Sequence, residues 1–152
     1  MDIKEVKTDK KAYLDLLLLG DEQEDMIDRY LERGTMFILD DNGVKAECVV
    51  TDEGDGVLEI KNIAVCPEFK NRGFGKALLT FIEERYRGQF AVLRVGTGDS
   101  PLTLPFYKKC GFTERDRVKN FFTDHYDRPI FEGGVQLVDM VYLEKGMGRD
   151  GV

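Results

Sequence analysis

The hydrophobic period of the chain changes between residues 65 and 74, and that change limits the folds open to it more than any other feature. Residues 57–65 read as a buried strand. From Gly73 onward the apolar residues fall at Phe74, Ala77, Leu78, Phe81 and Ile82, the i, i+3, i+4, i+7, i+8 stripe of a helix lying on a sheet. Gly88 closes that helix, and residues 90–95 follow as an apolar run broken only by Arg94. A strand, a helix and a strand in this order predict a parallel strand pair joined by a right-handed crossover.

The remaining pattern is antiparallel. Residues 35–39 and 44–51 are β-rich runs on either side of Asp40-Asp41-Asn42-Gly43, and Asn-Gly is the strongest short hairpin signal. A second turn, Asp52 through Gly56, leads into the strand at 57–65 and completes a three-strand meander. Ahead of it come a short strand at 3–6, a helix capped by Asp9 and running to about Leu19, and a second helix over 21–33 ended by Gly34. Ser100 and Pro101 are expected to open a short helix reaching Cys110, which Gly111 stops, and 112–118 and 135–143 supply two final strands. Between these lies a long connection, 120–134, carrying Phe121, Phe122, His125, Tyr126, Ile130 and Phe131, and loops of that length are often functional. One mixed α/β domain over 1–145 with a loose tail at 146–152 is the expected organisation.

Composition removes several functions. The 152 residues are 42% hydrophobic, enough for a real core, while 29 acids against 22 bases give a net charge of −7 that repels a phosphate backbone. No nucleic-acid partner is expected. The longest apolar runs, such as Leu16 to Leu19, are far short of the ~20 residues of a membrane helix, so no membrane partner is expected either. The first residues lack a basic stretch leading into a hydrophobic one, which makes a cytoplasmic location the expectation. Cys48, Cys66 and Cys110 are scattered and have no CxxC spacing, which argues against a disulfide framework or a metal site. The single histidine, His125, has no nucleophile signature around it.

Chemistry concentrates in the glycine-rich turn Lys70-Asn71-Arg72-Gly73-Phe74-Gly75-Lys76. Amides at a helix start carry partial positive charge and glycines permit close approach, so a pyrophosphate is the natural guest. An ordinary strand-to-helix turn is the plainer alternative. A P-loop would need Ser or Thr where Ala77 stands, and the dinucleotide fingerprint a small residue where Leu78 stands. The run instead resembles the acetyl-CoA signature of the GNAT acetyltransferase superfamily: Gln or Arg, two residues, Gly, any residue, Gly or Ala. Lys70 departs from it at the first position. Phe106-Tyr107-Lys108-Lys109-Cys110-Gly111-Phe112 is similar to the family's tyrosine-containing helix followed by Gly-Phe and a strand. The resemblance spans 35–143.

The resemblance implies a single GNAT-type domain: a central, mostly antiparallel sheet, a parallel pair splayed at the acetyl-CoA site, and flanking helices. It implies acetyl-CoA as cosubstrate, with no metal. Pantetheine would lie along the strand end at Ile63, Ala64 and Val65, and the Ile63 amide would stabilise the oxyanion of the thioester. Lys70, Asn71, Arg72, Gly73, Phe74, Gly75 and Lys76 would surround the pyrophosphate. Ser100 stands where an asparagine is common and would give a weaker cofactor contact. Glu59 stands where some members keep a general base, acting directly or through water; the alternative is a Glu on the exposed face of a strand. Tyr107 would donate a proton to the departing sulfur, or else is an aromatic core residue. The acids Asp21, Glu22, Glu24, Asp25 and Asp28 read either as an attraction for a cationic amine or as a solvated helix face. The expected activity is acetyl transfer to a primary amine of a small cationic molecule by direct attack in a ternary complex. A peptide or protein amine and a non-catalytic acyl-CoA-binding module are the alternatives, and assembly is left open between monomer and homodimer.

Overall fold

Where side-chain alternation and turn chemistry agree, the chain folds as its sequence dictates. The computed structural model describes residues 1–148. The meander consists of β2 (Thr35–Asp40), β3 (Val44–Gly54) and β4 (Val57–Val65), preceded by β1 (Asp2–Val6), a 3₁₀ turn (Lys10–Tyr13), α1 (Leu14–Gly20) and α2 (Glu24–Ile27). After a 3₁₀ turn at Pro67–Phe69 come α3 (Phe74–Tyr86), β5 (Val92–Gly98), α4 (Leu104–Lys109), β6 (Thr113–Val118) and α5 (Phe121–His125). The strands β7 (Phe131–Glu132), β8 (Val135–Gln136) and β9 (Met140–Gly146) finish the chain. Seven strands form one sheet in the order β1-β2-β3-β4-β5-β9-β6, while β7 and β8 pair separately. Among the described strands only β4 and β5 run parallel, the outcome of the crossover through α3.

The sheet is covered on both faces, and strand alternation decides which residues go where. Leu58 and Ile60 of β4 and Leu93 and Val95 of β5 pack under Leu78 and Ile82 of α3. On the other face Met36, Ile38 and Val49 meet Leu17 of α1 with Ile27 and Leu31. A small third cluster, Phe122, Ile130 and Leu137, gives the 120–138 region its own core. Among the described residues no helix is long and apolar enough to cross a membrane.

Several local expectations are corrected. Asp9 takes a left-handed conformation (φ 54°) and makes no side-chain cap, so a 3₁₀ turn precedes α1. The expected helix over 21–33 is regular only in its single turn α2; beyond it, Lys10 Nζ donates to the carbonyls of Leu31 (2.9 Å) and Gly34 (2.7 Å). Between α2 and Gly34 the backbone winds on irregularly, mixing i−3 bonds (Tyr30 N–H to Ile27 O, 3.1 Å) with i−4 bonds (Gly34 N–H to Tyr30 O, 2.9 Å). Phe90 belongs to the end of the α3 segment, its ring edge-on to Tyr86 at 5.8 Å, and β5 begins two residues later. Ser100 caps a turn by accepting the Leu102 N–H (3.0 Å), and the helix starts at Leu104. The strand expected over 135–143 is broken because Leu137 N–H donates to Ile130 and Val138 O accepts from Phe122. Nor is the tail loose from 146: Gly146 pairs with Val92 and Met147 is buried. Residues 149–152 of that tail lie outside the described residues.

Candidate active site

The site begins with a defect in strand pairing. Val49 faces Asn62 and Val50 faces Ile60, so Lys61 is an extra residue bulged out of β4. At the same level the parallel pairing of β4 with β5 ends, its last partners being Ile60 and Val95. Beyond that point β4 stays with β3 through Ile63, Ala64 and Val65, whereas Gly96, Thr97 and Gly98 stay with β9. The two strands splay around a cleft of about 150 Å³ whose lining includes Ile63, Gly96, Thr97 and Tyr107. A Cβ at Gly96 would stand 2.9 Å from the Tyr142 ring, and one at Gly98 2.5 Å from Leu137, so a side chain at either position in β5 would have to displace its neighbour.

At one end of the splayed β4 stands the glycine-rich turn. Gly73, at φ 84°, reverses the chain in a left-handed conformation, and a Cβ there would meet nothing within 4 Å. The first helical bond runs from Ala77 N–H to Gly73 O (2.9 Å), and no side chain caps the amides ahead of it. Those amides are free for an anion at the start of a 13-residue helix. Lys45 Nζ and the Arg72 guanidinium lie 4.2 and 5.3 Å from the Phe69 ring, which holds two cations beside the turn. Lys70, Asn71 (φ 64°), Phe74, Gly75 and Lys76 complete the segment. Open glycines, uncapped amides and nearby cations fit a pyrophosphate.

The expected acid and base sit differently. Tyr107 lines the cleft from α4, its ring packed edge-on against Phe106 and Phe112; burial pushes its phenol up, so it stays protonated. Glu59 is only 4% exposed and lines a second cavity that adjoins the cleft. Its carboxylate is paired with Lys61 Nζ (2.9 Å) and more loosely with Arg94 (3.6 Å). Ser100 is buried, and its hydroxyl accepts the Leu102 amide.

Of the acids the sequence offered for a cationic amine, Asp21 and Glu22 line the cleft, and they are joined there by Glu132, which no motif distinguishes. Asp21, in the turn between α1 and α2, accepts hydrogen bonds from Tyr126 Oη (2.6 Å) and Tyr30 Oη (2.9 Å). Tyr30 Oη in turn accepts from Asn62 Nδ2 (3.1 Å), which also donates to Leu17 O (2.9 Å). Burial raises the Asp21 carboxyl above its ordinary value, against the two tyrosine hydroxyls that stabilise its charge. Glu132, also in the cleft, is pushed up by burial while the Ser100 hydroxyl pulls the other way. Within β4 the sequence signal for this network is Lys61-Asn62, a polar pair where the bulge forms.

The family model of the acetyltransferase (GNAT) domain matches residues 32–114. The uncharacterized N-acetyltransferase YvbK of Bacillus subtilis (strain 168) is 39% identical over 140 residues, 90% of each chain. A GNAT family acetyltransferase from Elizabethkingia anophelis, solved with acetyl-CoA bound, superposes with a TM-score of 0.89 at 34% identity, covering 95% of this chain and 97% of that one. A Bacillus subtilis acetyltransferase in complex with CoA gives 0.84 at 36% identity with the same coverage.

Proposed function

The chain belongs to the GNAT acetyltransferase superfamily, and from that premise we propose that it acetylates the primary amine of a small cationic molecule by direct attack in a ternary complex with acetyl-CoA. The observation that carries the acceptor class is the charge of the cleft: Asp21, Glu22 and Glu132 line it against a single cation, Lys61. Carboxylates there draw in an ammonium and disfavour an anionic acceptor.

Acetyl-CoA supplies an activated acetyl thioester; the other tasks fall to this chain. The amides and cations of residues 70–76 bind the pyrophosphate, and Ile63, Ala64 and Val65 receive pantetheine as an added strand. The Ile63 amide donates to the thioester oxygen, where negative charge develops. Glu59 takes a proton from the acceptor ammonium, directly or through one water, and the nitrogen lone pair then forms the new C–N bond as the C–S bond breaks. Tyr107 returns a proton to the departing sulfur, a role supported by its protonated state within the cleft. Ser100, with its hydroxyl already engaged, acts by holding the chain before α4.

Release of CoA thiol measured against a panel of small primary amines and of peptides tests the proposal. Turnover with small amines and little with peptides is expected. Turnover with peptides alone, or tight acetyl-CoA binding with no turnover at all, would overturn it.

A further inference from the structure

Asp21 closes α1 and opens the turn to α2, and its surroundings fix it there. Its N–H donates to Leu17 O (3.0 Å), Oδ1 accepts from Tyr126 Oη (2.6 Å) and Oδ2 from Tyr30 Oη (2.9 Å). Both tyrosines are held in turn: Asn62 Nδ2 donates to Tyr30 Oη (3.1 Å), and the Tyr126 ring packs 5.2 Å from that of Phe122. A carboxylate offers about four acceptor positions, so one hydroxyl on each oxygen leaves about two open. No lysine or arginine stands within ion-pair distance of Asp21 among the described residues. Asp21 is also the one carboxylate among them that lines both the cleft and the adjoining cavity; Glu22 and Glu132 line the cleft alone, and Glu59 the cavity alone.

The balance of protons calls for a second acceptor at that place. An ammonium nitrogen carries three hydrogens and the nitrogen of the product amide one, so two protons leave nitrogen in each turnover. On the proposed mechanism Glu59 takes the first, and once protonated it cannot take another in the same turnover. The second leaves when formation of the C–N bond puts positive charge back on nitrogen. One of the two replaces the proton that Tyr107 gives to sulfur and the other goes to solvent, so the products are the amide, CoA thiol and one proton. Burial raises the Asp21 carboxyl and favours its taking a proton, while the two tyrosine hydroxyls and Arg29 favour its charge. The other charges facing it are Glu22, Glu132 and Lys61 in the cleft and Arg33 and Glu59 in the cavity.

Resting on the acetyl-transfer reading above, we infer that Asp21 is a second catalytic carboxylate: an open lone pair of its side chain takes the remaining proton from the acceptor nitrogen as the C–N bond forms and the C–S bond breaks. Steady-state CoA release with the best small primary amine of the panel tests this, with melting temperature and acetyl-CoA affinity reporting that each variant is folded. Asp21→Asn keeps the shape and an oxygen for a tyrosine hydroxyl but accepts no proton, and its kcat should fall on the order of 10²-fold. The fall should persist at high pH, where Glu59→Gln regains rate, because a neutral amine still has one proton to lose after it attacks. Formate, a free carboxylate small enough for the vacated space, should restore kcat of Asp21→Ala several-fold, a response that a merely structural Asp21 would not give. A kcat near wild type in folded Asp21→Asn overturns the inference. So does a defect confined to the acceptor KM that disappears at high pH, or a folded Asp21→Ala that formate does not restore; each of these leaves acetyl transfer to amines standing. No turnover of any amine by the wild-type protein, with acetyl-CoA tightly bound, overturns the amine reading and this inference together.

Discussion

Glu47 on β3 is fully buried on the α1 side of the sheet, and neither carboxylate oxygen has a hydrogen-bond partner. Burial holds its carboxyl well above the ordinary range. As pH rises the unfolded chain therefore gives up this proton before the folded one does, so Glu47's contribution is whole below the unfolded carboxylate range and is lost as pH climbs toward the folded value. Glu47→Met should stabilise the protein by about 1–3 kcal/mol at neutral pH, and chemical denaturation should find the advantage shrinking toward about pH 4. Gly75→Val tests the turn, since a Cβ there already stands 3.5 Å from Phe106 and branched methyls would fill the approach to the amides. Calorimetry should find acetyl-CoA affinity at least about tenfold weaker in a variant that still folds, a change of ~1.4 kcal/mol. For the proton carriers, Glu59→Gln should lower kcat/KM on the order of 10²-fold at neutral pH, with part of the rate returning at high pH where the amine is already neutral. Tyr107→Phe should lower kcat with acetyl-CoA affinity nearly kept, because the phenol acts on the leaving sulfur. Wild-type rates across the pH range in both variants would remove these residues from the mechanism. The turn was legible in the sequence because its glycines and helix stripe are local signals. Glu47 was not, because only strand register puts it under α1.

Two elements far apart in the chain meet at the carboxylate-lined end of the cleft. The α1–α2 turn and the segment after α5 are joined by the Tyr126–Asp21 bond and by Asp127 N–H donating to Gln23 Oε1 (2.9 Å). Tyr126→Phe removes the first of these and leaves the glycine-rich turn untouched. Steady-state kinetics should give an acceptor KM several-fold higher, with the acetyl-CoA KM little changed; equal rises in both would mean that the strap supports the whole fold rather than the acceptor end. Pattern and turn chemistry were enough for the meander, the α3 crossover and the short α4, where each run of residues carries its own period. The stretch from 21 to 33 misled because its apolar residues Met26, Ile27, Tyr30 and Leu31 keep a helical spacing and are buried, while the backbone after α2 mixes i−3 with i−4 bonds, a difference the apolar pattern does not carry. The 120–143 region misled in the opposite sense: Asp139 accepts the Asn120 N–H (3.0 Å) and pairs with Arg117 (3.1 Å), long-range contacts that bend a run whose local pattern is a single strand.

At the scale of the whole molecule, a chain of net charge −7 that binds an anionic cosubstrate must hold its positive charge locally. It does so at the glycine-rich turn, with Lys45 and Arg72 on Phe69, and reserves its carboxylates for the far side of the splayed strands, where a cation is expected. On the proposed reading both substrates occupy one gap in the sheet from opposite ends, and no acetyl group needs to rest on the protein. The cysteines agree with that arrangement: Cys48 is buried with its thiol pushed well up by burial, and Cys110 is raised by the same cause, so neither offers a ready thiolate. Initial rates of CoA release, with acetyl-CoA and the best small primary amine of the panel each varied at several fixed concentrations of the other, test direct transfer most plainly. Double-reciprocal lines that intersect are the predicted result, with the acetyl group recovered on the amine. Parallel lines, together with labelled acetyl retained on the protein before amine is added, would contradict the account.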